Sequence, residues 1–276
     1  MKIVKHSGDV VDYDPQKLRN SLIRSGAGET VVQDILDRIE KEIFEGMPTK
    51  QIYKLAFAYL KKASNSHAAR YNLRQALQLL GPAGFFFEKY IARLFEAEQY
   101  ETQTNLTLPG KCVTHELDVV IRKNGVIAMV ECKFHTGREA TTDVKVPMYI
   151  LSRFNDLKEN LHVLFSGKER ISKCWIITNN RFTTDAVSFA TCSGIQLLSW
   201  DYPKELNLRT KIDSHHLYPI TCLTTLSIAE KDKLLILDVL LVKEIINNHQ
   251  CLEKIGLAPN RIKNVLKEAT ALCAYY

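Results

Sequence analysis

The chain has no apolar run near the ~18 residues that a membrane-spanning helix requires, so an integral membrane helix is excluded. Its opening, Met1-Lys2-Ile3-Val4-Lys5-His6, is too short and polar for a secretory leader. Cysteine is present but not organised: there are seven, an odd number, with no C-x-x-C pair. That argues against a disulfide framework and a zinc ribbon, and it places the expected compartment in a reducing cytoplasm. No His or Cys pair has a zinc-ligand spacing. Internal repeats, low-complexity tracts and the usual glycine-rich phosphate loops are all missing. No segment is a dense basic tail, and a net charge of +6 is only mild evidence for an acidic partner. Any nucleic acid must therefore meet local patches.

What is present is a hairpin signal. Asn124-Gly125 accepts the positive φ angles of a two-residue type I′ turn and separates Leu117–Ile121 from Val126–Val130. If Lys123 pairs with Val126, counting back sets Asp118 opposite Glu131 and Glu116 opposite Lys133. Alternation puts these four on one face, and Leu117, Val119, Ile121, Ala128, Val130 and Cys132 on a core face. Opposed carboxylates repel unless a positive charge lies between them. A divalent cation with oxygen ligands, with Lys133 beside it, is the simplest remedy. By the same parity His115 falls on the apolar face as a core histidine, and Glu116 serves mainly as a partner for Lys133. His135 continues the Glu131 face.

Three segments are expected. Residues 1–83 open with two short strands, Lys2–Lys5 and Val10–Tyr13. Asp14 and Pro15 then start a helix as N-cap and first residue. Helices follow across Val32–Phe44, with Gly46 as C-cap, from Thr49 as a cap, and from about Ser66 to Leu80. Gly81-Pro82 marks the boundary. Residues 84–204 read as a helix from Phe85, a strand at Thr102–Leu108 and the hairpin. A helix in Val144–Leu164, a strand at Cys174–Thr178, a short helix and a strand at Ile195–Trp200 follow. A hairpin feeding a parallel strand through a helical crossover predicts an α/β domain, α+β overall, with a mixed four- to five-stranded sheet flanked by helices. Residues 205–276 are helical, with one long helix over Ile228–Asn248 and another over Asn260–Ala274.

Asp118, followed after twelve residues by Glu131-x-Lys133, resembles the PD-(D/E)XK nuclease superfamily, within it the Mrr-type restriction endonucleases. Gly84-Phe85-Phe86-Phe87-Glu88 is similar to the family's first-helix glutamate motif. His115–Val120 and Val130–Lys133 are similar to its core strands, and Ile176–Phe182 to a later strand. Leu117 stands where the superfamily label has proline. The resemblance implies that Asp118, Glu131 and the Cys132 carbonyl hold Mg²⁺ or Mn²⁺, and that Lys133 positions water and stabilises the phosphorus centre. Glu88 binds a second ion or orients solvent, or is a solvated helix carboxylate. Asn179 and Asn180 end a strand where ligands gather, and turn formation explains them equally well.

The run Val4–Asp14 with Lys17 resembles an ATP cone, whose usual core is Lys-Arg-Asp/Asn-Gly; His6 and Ser7 depart from it and remove one permanent cation. The resemblance implies ATP or dATP, with Lys5 and Lys17 on the phosphates, His6 in the loop beside them, Thr49 offering a hydroxyl, and Val4 and Tyr53 lining the base. Leu252–Leu257 distantly resembles a helix-hairpin-helix phosphate binder, although a packing helix pair is the favoured reading. Together these imply a metal-dependent endonuclease acting on double-stranded DNA and regulated by nucleotide, with a homodimer suited to cutting both strands. The alternative is a non-cleaving DNA-binding or nucleotide-sensing regulator on a nuclease-like fold.

Overall fold

A computed structural model describes residues 1–81, 84–137, 139–165 and 167–274, so Pro82 of the expected boundary lies outside the described residues. The chain forms two compact units, one built from Met1–Ala76 with Tyr218–Tyr276, the other from Leu77–Leu217.

In the first unit β1 (Lys2–Val4) pairs antiparallel with β2 (Val10–Asp12) and parallel with β3 (Met47–Pro48), a strand the sequence pattern did not signal. Asp14 caps α1 (Pro15–Ile23) by accepting the Gln16 N–H. Helix α2 (Glu29–Glu42) buries Val32, Ile35, Leu36 and Ile39; its cap is Ile43, and Gly46 instead turns the chain into β3 at φ +81°. Thr49 is the first residue of α3 (Thr49–Ala63), not its cap; Pro48 holds that place, and no side chain caps the helix. The expected helix over 66–80 is two, α4 (Asn65–Tyr71) and α5 (Leu73–Gln78). Asn72 leaves the helical region between them, and its side chain accepts the Tyr53 hydroxyl at 2.7 Å, a tertiary bond that competes with helix continuation.

The second unit begins with α6 (Phe85–Ala97), β4 (Glu101–Pro109), β5 (Thr114–Lys123) and β6 (Val126–Lys133). Asn124 and Gly125 have φ of +51° and +74°, and Lys123 pairs with Val126 as the turn chemistry requires. Next come β7 (Thr141–Thr142), α7 (Lys145–Leu157), β8 (His162–Leu164), β9 (Gly167–Glu169) and β10 (Lys173–Thr178). The unit closes with β11 (Arg181–Phe182), α8 (Thr184–Cys192), β12 (Gln196–Leu198) and α9 (Leu208–His215). The mixed five-stranded sheet runs β12-β10-β6-β5-β4, parallel among β6, β10 and β12 and antiparallel elsewhere. Helix α7 stops well short of 164, because His162–Leu164 pairs with Gly167–Glu169 as a hairpin.

Both sheet faces are covered, so the expected division into one core face and one polar face holds only at the strand ends. Val120, Ile127, Met129 and Ile176 pack with Ile150, Leu157 and Ala190 of α7 and α8. Buried Phe87, Tyr90, Ile91 and Phe95 of α6, which packs against β4, β5 and β6, fill the other side. Strands buried on both faces lose the period-two pattern.

The remaining chain supplies α10 (Ile228–Ile236), α11 (Val242–Asn247), α12 (Gln250–Lys254) and α13 (Pro259–Cys273). The long helix expected over 228–248 breaks at Asp238, φ +60°, because Pro219 bridges to Leu241 and the Tyr218 and Leu240 carbonyls accept N–H bonds across that bridge. This segment docks on the N-terminal helices: Lys61 Nζ donates to the Thr224 carbonyl, Thr221 Oγ1 to that of Ala76, and Arg70 to that of Leu272.

Buried Glu268 of α13 accepts the Thr224 N–H at 2.7 Å, the Thr225 N–H at 2.9 Å and the Thr225 hydroxyl at 2.6 Å. Its truncation strands three part-buried donors. Glu268→Ala is expected to cost about 3 kcal/mol, seen in urea unfolding as a lower midpoint, with Glu268→Gln losing roughly half as much.

Candidate active site

The acids gather where the β5–β6 ladder opens. Backbone pairing runs from Lys123↔Val126 to Val119↔Val130 and does not continue to 118 and 131. Instead the Asp118 carboxylate accepts the Cys132 N–H at 2.7 Å, replacing a ladder bond with a side-chain bond. On the other side of β5 the register is the same at Thr104↔Val119 and at Leu106↔Leu117, but the Asn105–Asp118 pair between them is missing, and Asn105 is left-handed at φ +55°. Asp118 thus sits at a break in pairing on both sides, the kind of irregularity that re-aims a side chain out of a sheet. Nor does the ladder reach Glu116 and Lys133: Glu116 is exposed and pairs with Thr107 of β4, and the Lys133 ammonium donates to Glu131.

Glu131 is buried, with Lys133 Nζ 2.6 Å from one carboxylate oxygen and the Arg153 guanidinium 2.6 Å from the other. Burial and then the neighbouring Glu131 charge push Asp118 up to about 7, with Glu88 adding to the rise. Glu88, in the first turn of α6, is itself raised by burial and then by Glu131. Gly84 caps that helix at φ +82°, and a Cβ there would stand 3.4 Å from the Phe134 Cβ, so glycine allows α6 to close on the end of β6. Glu88, Asp118, Glu131 and Lys133 therefore share one electrostatic neighbourhood.

Whether a metal suits this place depends on the donors. Among the described residues no three His, Cys, Asp or Glu side chains stand together as an ion-holding group. Two carboxylates that repel are a short set of hard oxygen donors, to which the Cys132 carbonyl would add a third, and such a set would fit an ion that keeps several waters, as Mg²⁺ does. The Cys132 thiol is buried and pushed well up by that burial, so its sulfur is no thiolate ligand.

Arg153 went unnoticed in the sequence, although a signal existed. It continues the helical spacing of Val146, Ile150 and Leu157 on α7, so a cation interrupts a stripe that packs on the core. Asn179 and Asn180 are fully buried and serve the loop after Lys133. Asn179 accepts the His135 N–H at 2.9 Å and donates to the His135 carbonyl at 2.8 Å, and Asn180 donates to the Gly137 carbonyl at 2.8 Å. His135 Nε2 lies 2.9 Å from Thr142 Oγ1. His115 Nε2 lies 2.8 Å from Asp156, away from the acids and in a structural tie to α7.

In the first unit, the Val4↔Pro48 pairing brings Val4 beside Thr49, with Tyr53 one turn further along α3. Tyr53 is stacked on Tyr71 at 4.8 Å. Lys5 and His6 are exposed on the β1–β2 turn, and the exposed Lys17 ammonium lies 3.6 Å from Asp14.

Comparison with known proteins gives each part a relative. Residues 1–75 match the ATP cone domain, 82–202 the Mrr-type restriction endonuclease catalytic domain, and 218–273 the AF1548-like C-terminal domain. An uncharacterized protein of Archaeoglobus fulgidus is 33% identical over 180 residues, 65% of this chain and 97% of that protein. The crystal structure of AF1548, a protein of unknown function, superposes with a TM-score of 0.57 at 32% identity, over 68% of this chain and 97% of that one. Can2 from Sulfobacillus thermosulfidooxidans, solved with cyclic tetra-adenylate, matches at 15% identity over 73% of this chain and 53% of its own, with a TM-score of 0.34.

A dication held by Asp118 must displace the proton that this carboxyl retains up to about pH 7. Because the folded pKa lies above the ordinary value, ionisation weakens the metal-free fold as pH rises from about 4 to about 7. Mg²⁺ is therefore expected to raise the melting temperature more at pH 8 than at pH 6 in thermal scans. Apparent affinity should climb about tenfold per pH unit below 7 and level off above it.

Proposed function

Because the chain belongs to the Mrr-type restriction endonuclease family of the PD-(D/E)XK superfamily, with an ATP cone at its N-terminus, we propose that it is a metal-dependent DNA endonuclease whose cutting responds to nucleotide on the cone. The observation that carries this reading is the mutual crowding of Asp118, Glu131 and Glu88 beside Lys133, which holds Asp118 near neutrality. Acids serving only the fold gain little from such an arrangement, and each would be steadier apart. Acids whose pKa values are perturbed by burial and by one another are a mark of chemistry.

Asp118, Glu131 and the Cys132 carbonyl are the donors for Mg²⁺ or Mn²⁺. A bound dication would supply an acidified water and neutralise charge on the scissile phosphate. Lys133 holds Glu131 in place and presents its ammonium to the phosphate oxygens that gain charge as the phosphodiester is attacked. Glu88, its carboxyl raised by burial and then by the Glu131 charge, orients solvent at their edge. On the cone, Lys5 and Lys17 are the cations for a triphosphate, with His6 beside them. Val4, Thr49 and Tyr53, drawn together by the β1–β3 pairing, receive the base and sugar side. Double-strand cleavage with one site per chain suits a homodimer.

The test is conversion of supercoiled plasmid with Mg²⁺ or Mn²⁺, with and without ATP and dATP. Asp118→Ala and Lys133→Ala are each expected to lower nicking by about 100-fold or more, and Glu88→Gln by about tenfold. Nicking that survives Asp118→Ala sinks the assignment, and metal-independent DNA binding with no nicking under any condition turns it into the regulator reading. Nucleotide should change the wild-type rate and leave a Lys5→Ala, Lys17→Ala double variant unchanged.

A further inference from the structure

Arg153 raises a question that the proposed reaction leaves open. Its guanidinium donates to Glu131 Oε2 at 2.6 Å and to the Glu116 carbonyl, while Lys133 occupies Glu131 Oε1 at 2.6 Å. Both oxygens of an acid needed for a dication are thus already engaged by cations. The Arg153 side chain is only 11% exposed and the Glu131 side chain 6%, so neither ion is screened by water as a surface pair would be. Arginine always carries its charge, and it cannot leave by losing a proton.

Charge balance suggests what the pair is for. Glu88, Asp118 and Glu131 ionised carry three negative charges; Lys133 and Arg153 carry two positive ones, leaving a net −1. Adding a dication makes +1, and adding one phosphodiester returns the cluster to zero. The exposed Tyr149 ring lies one turn earlier on α7, its centroid 5.7 Å from the guanidinium carbon, and offers a cation–π seat beside the acid.

We propose that Arg153 is an exchangeable counter-ion: it holds Glu131 while the site lacks metal, yields that carboxylate to the dication, and then serves the scissile phosphate. This rests on the nuclease reading. Arg153 thereby sets how much metal the site needs and couples metal occupancy to grip on the backbone of DNA. A bidentate fork suits both partners in turn, carboxylate first and phosphate second, whereas a lysine ammonium matches neither as well. Until it contacts phosphate, Arg153 acts through Glu131 as a positioning residue.

The experiment titrates Mn²⁺ alone, without DNA, into the full chain at pH 8 by calorimetry, for wild type, Arg153→Met and Arg153→Lys. Circular dichroism and thermal melting of each confirm folding. Arg153→Met, which keeps the length and apolar stem, is expected to bind Mn²⁺ about tenfold more tightly, with Arg153→Lys between it and wild type. With plasmid at saturating Mn²⁺, Arg153→Met should raise KM for DNA about tenfold or more, and Arg153→Lys should restore part of it. A merely structural arginine would lower the melting temperature and move neither value in these directions. Equal Mn²⁺ affinity in folded wild type and Arg153→Met, or weaker affinity in the variant, overturns the proposal and leaves the nuclease reading intact. If wild type and Arg153→Met both fail to bind Mn²⁺, both readings fall. Binding by Arg153→Met where wild type binds none supports the latch in its strongest form.

Discussion

Carboxylates crowded together while partly removed from water are the constraint on which the second unit is built. Burial alone raises the free energy of each charge, and a second acid nearby raises it again. The fold answers with three devices: the Cys132 N–H on Asp118, the Lys133 ammonium on Glu131, and the Arg153 guanidinium on the same carboxylate. Remove any one and the others must carry more unbalanced charge. Asp118 and Glu88 both hold their protons to higher pH than isolated carboxylates do, first through burial and then through the nearby Glu131 charge.

The surrounding architecture makes that tension tolerable by rigidity. Asp118 lies where two ladders fail, yet the neighbouring residues are pinned: Val119↔Val130 below, and Lys133↔Thr178 on the parallel side. Beyond Thr178 the backbone pairing is continued by side chains, with Asn179 bracketing His135 through both its amide atoms and Asn180 holding Gly137. These buried amides supply the donors and acceptors that the departing strand would otherwise leave unmet. Close packing between α6 and the end of β6, where Gly84 admits Phe134, fixes the third acid from the opposite side.

Much of this was legible in the residues. Asn124-Gly125 between apolar runs set the turn, and turn geometry set the register near it. The order of strands and helices followed from period and breakers, and the five-stranded mixed sheet from a hairpin joined to a helical crossover. What escaped has a common cause: competition from distant partners. A continuous helix through Asn72 loses to the Tyr53 hydroxyl, and one through Asp238 loses to a backbone bridge with Pro219. The strand β3 exists because β1 needs a neighbour, not because Met47-Pro48 favours extension. Simple alternation failed at Asp118 because Asn105, on another strand, breaks the ladder beside it. Arg153 was visible only as a cation out of place on an apolar stripe, and its partner lay 22 residues away.

The path of the chain carries one more consequence. It leaves the first unit after Ala76 and rejoins it at Tyr218, and the returning segment is stitched to the N-terminal helices through Thr221, Thr224 and Leu272. The sheet unit is thus moored by two cables to a single quay rather than trailing on one. Completing the first unit therefore means closing a loop that contains the whole of Leu77–Leu217, and that conformational cost is met once, during folding.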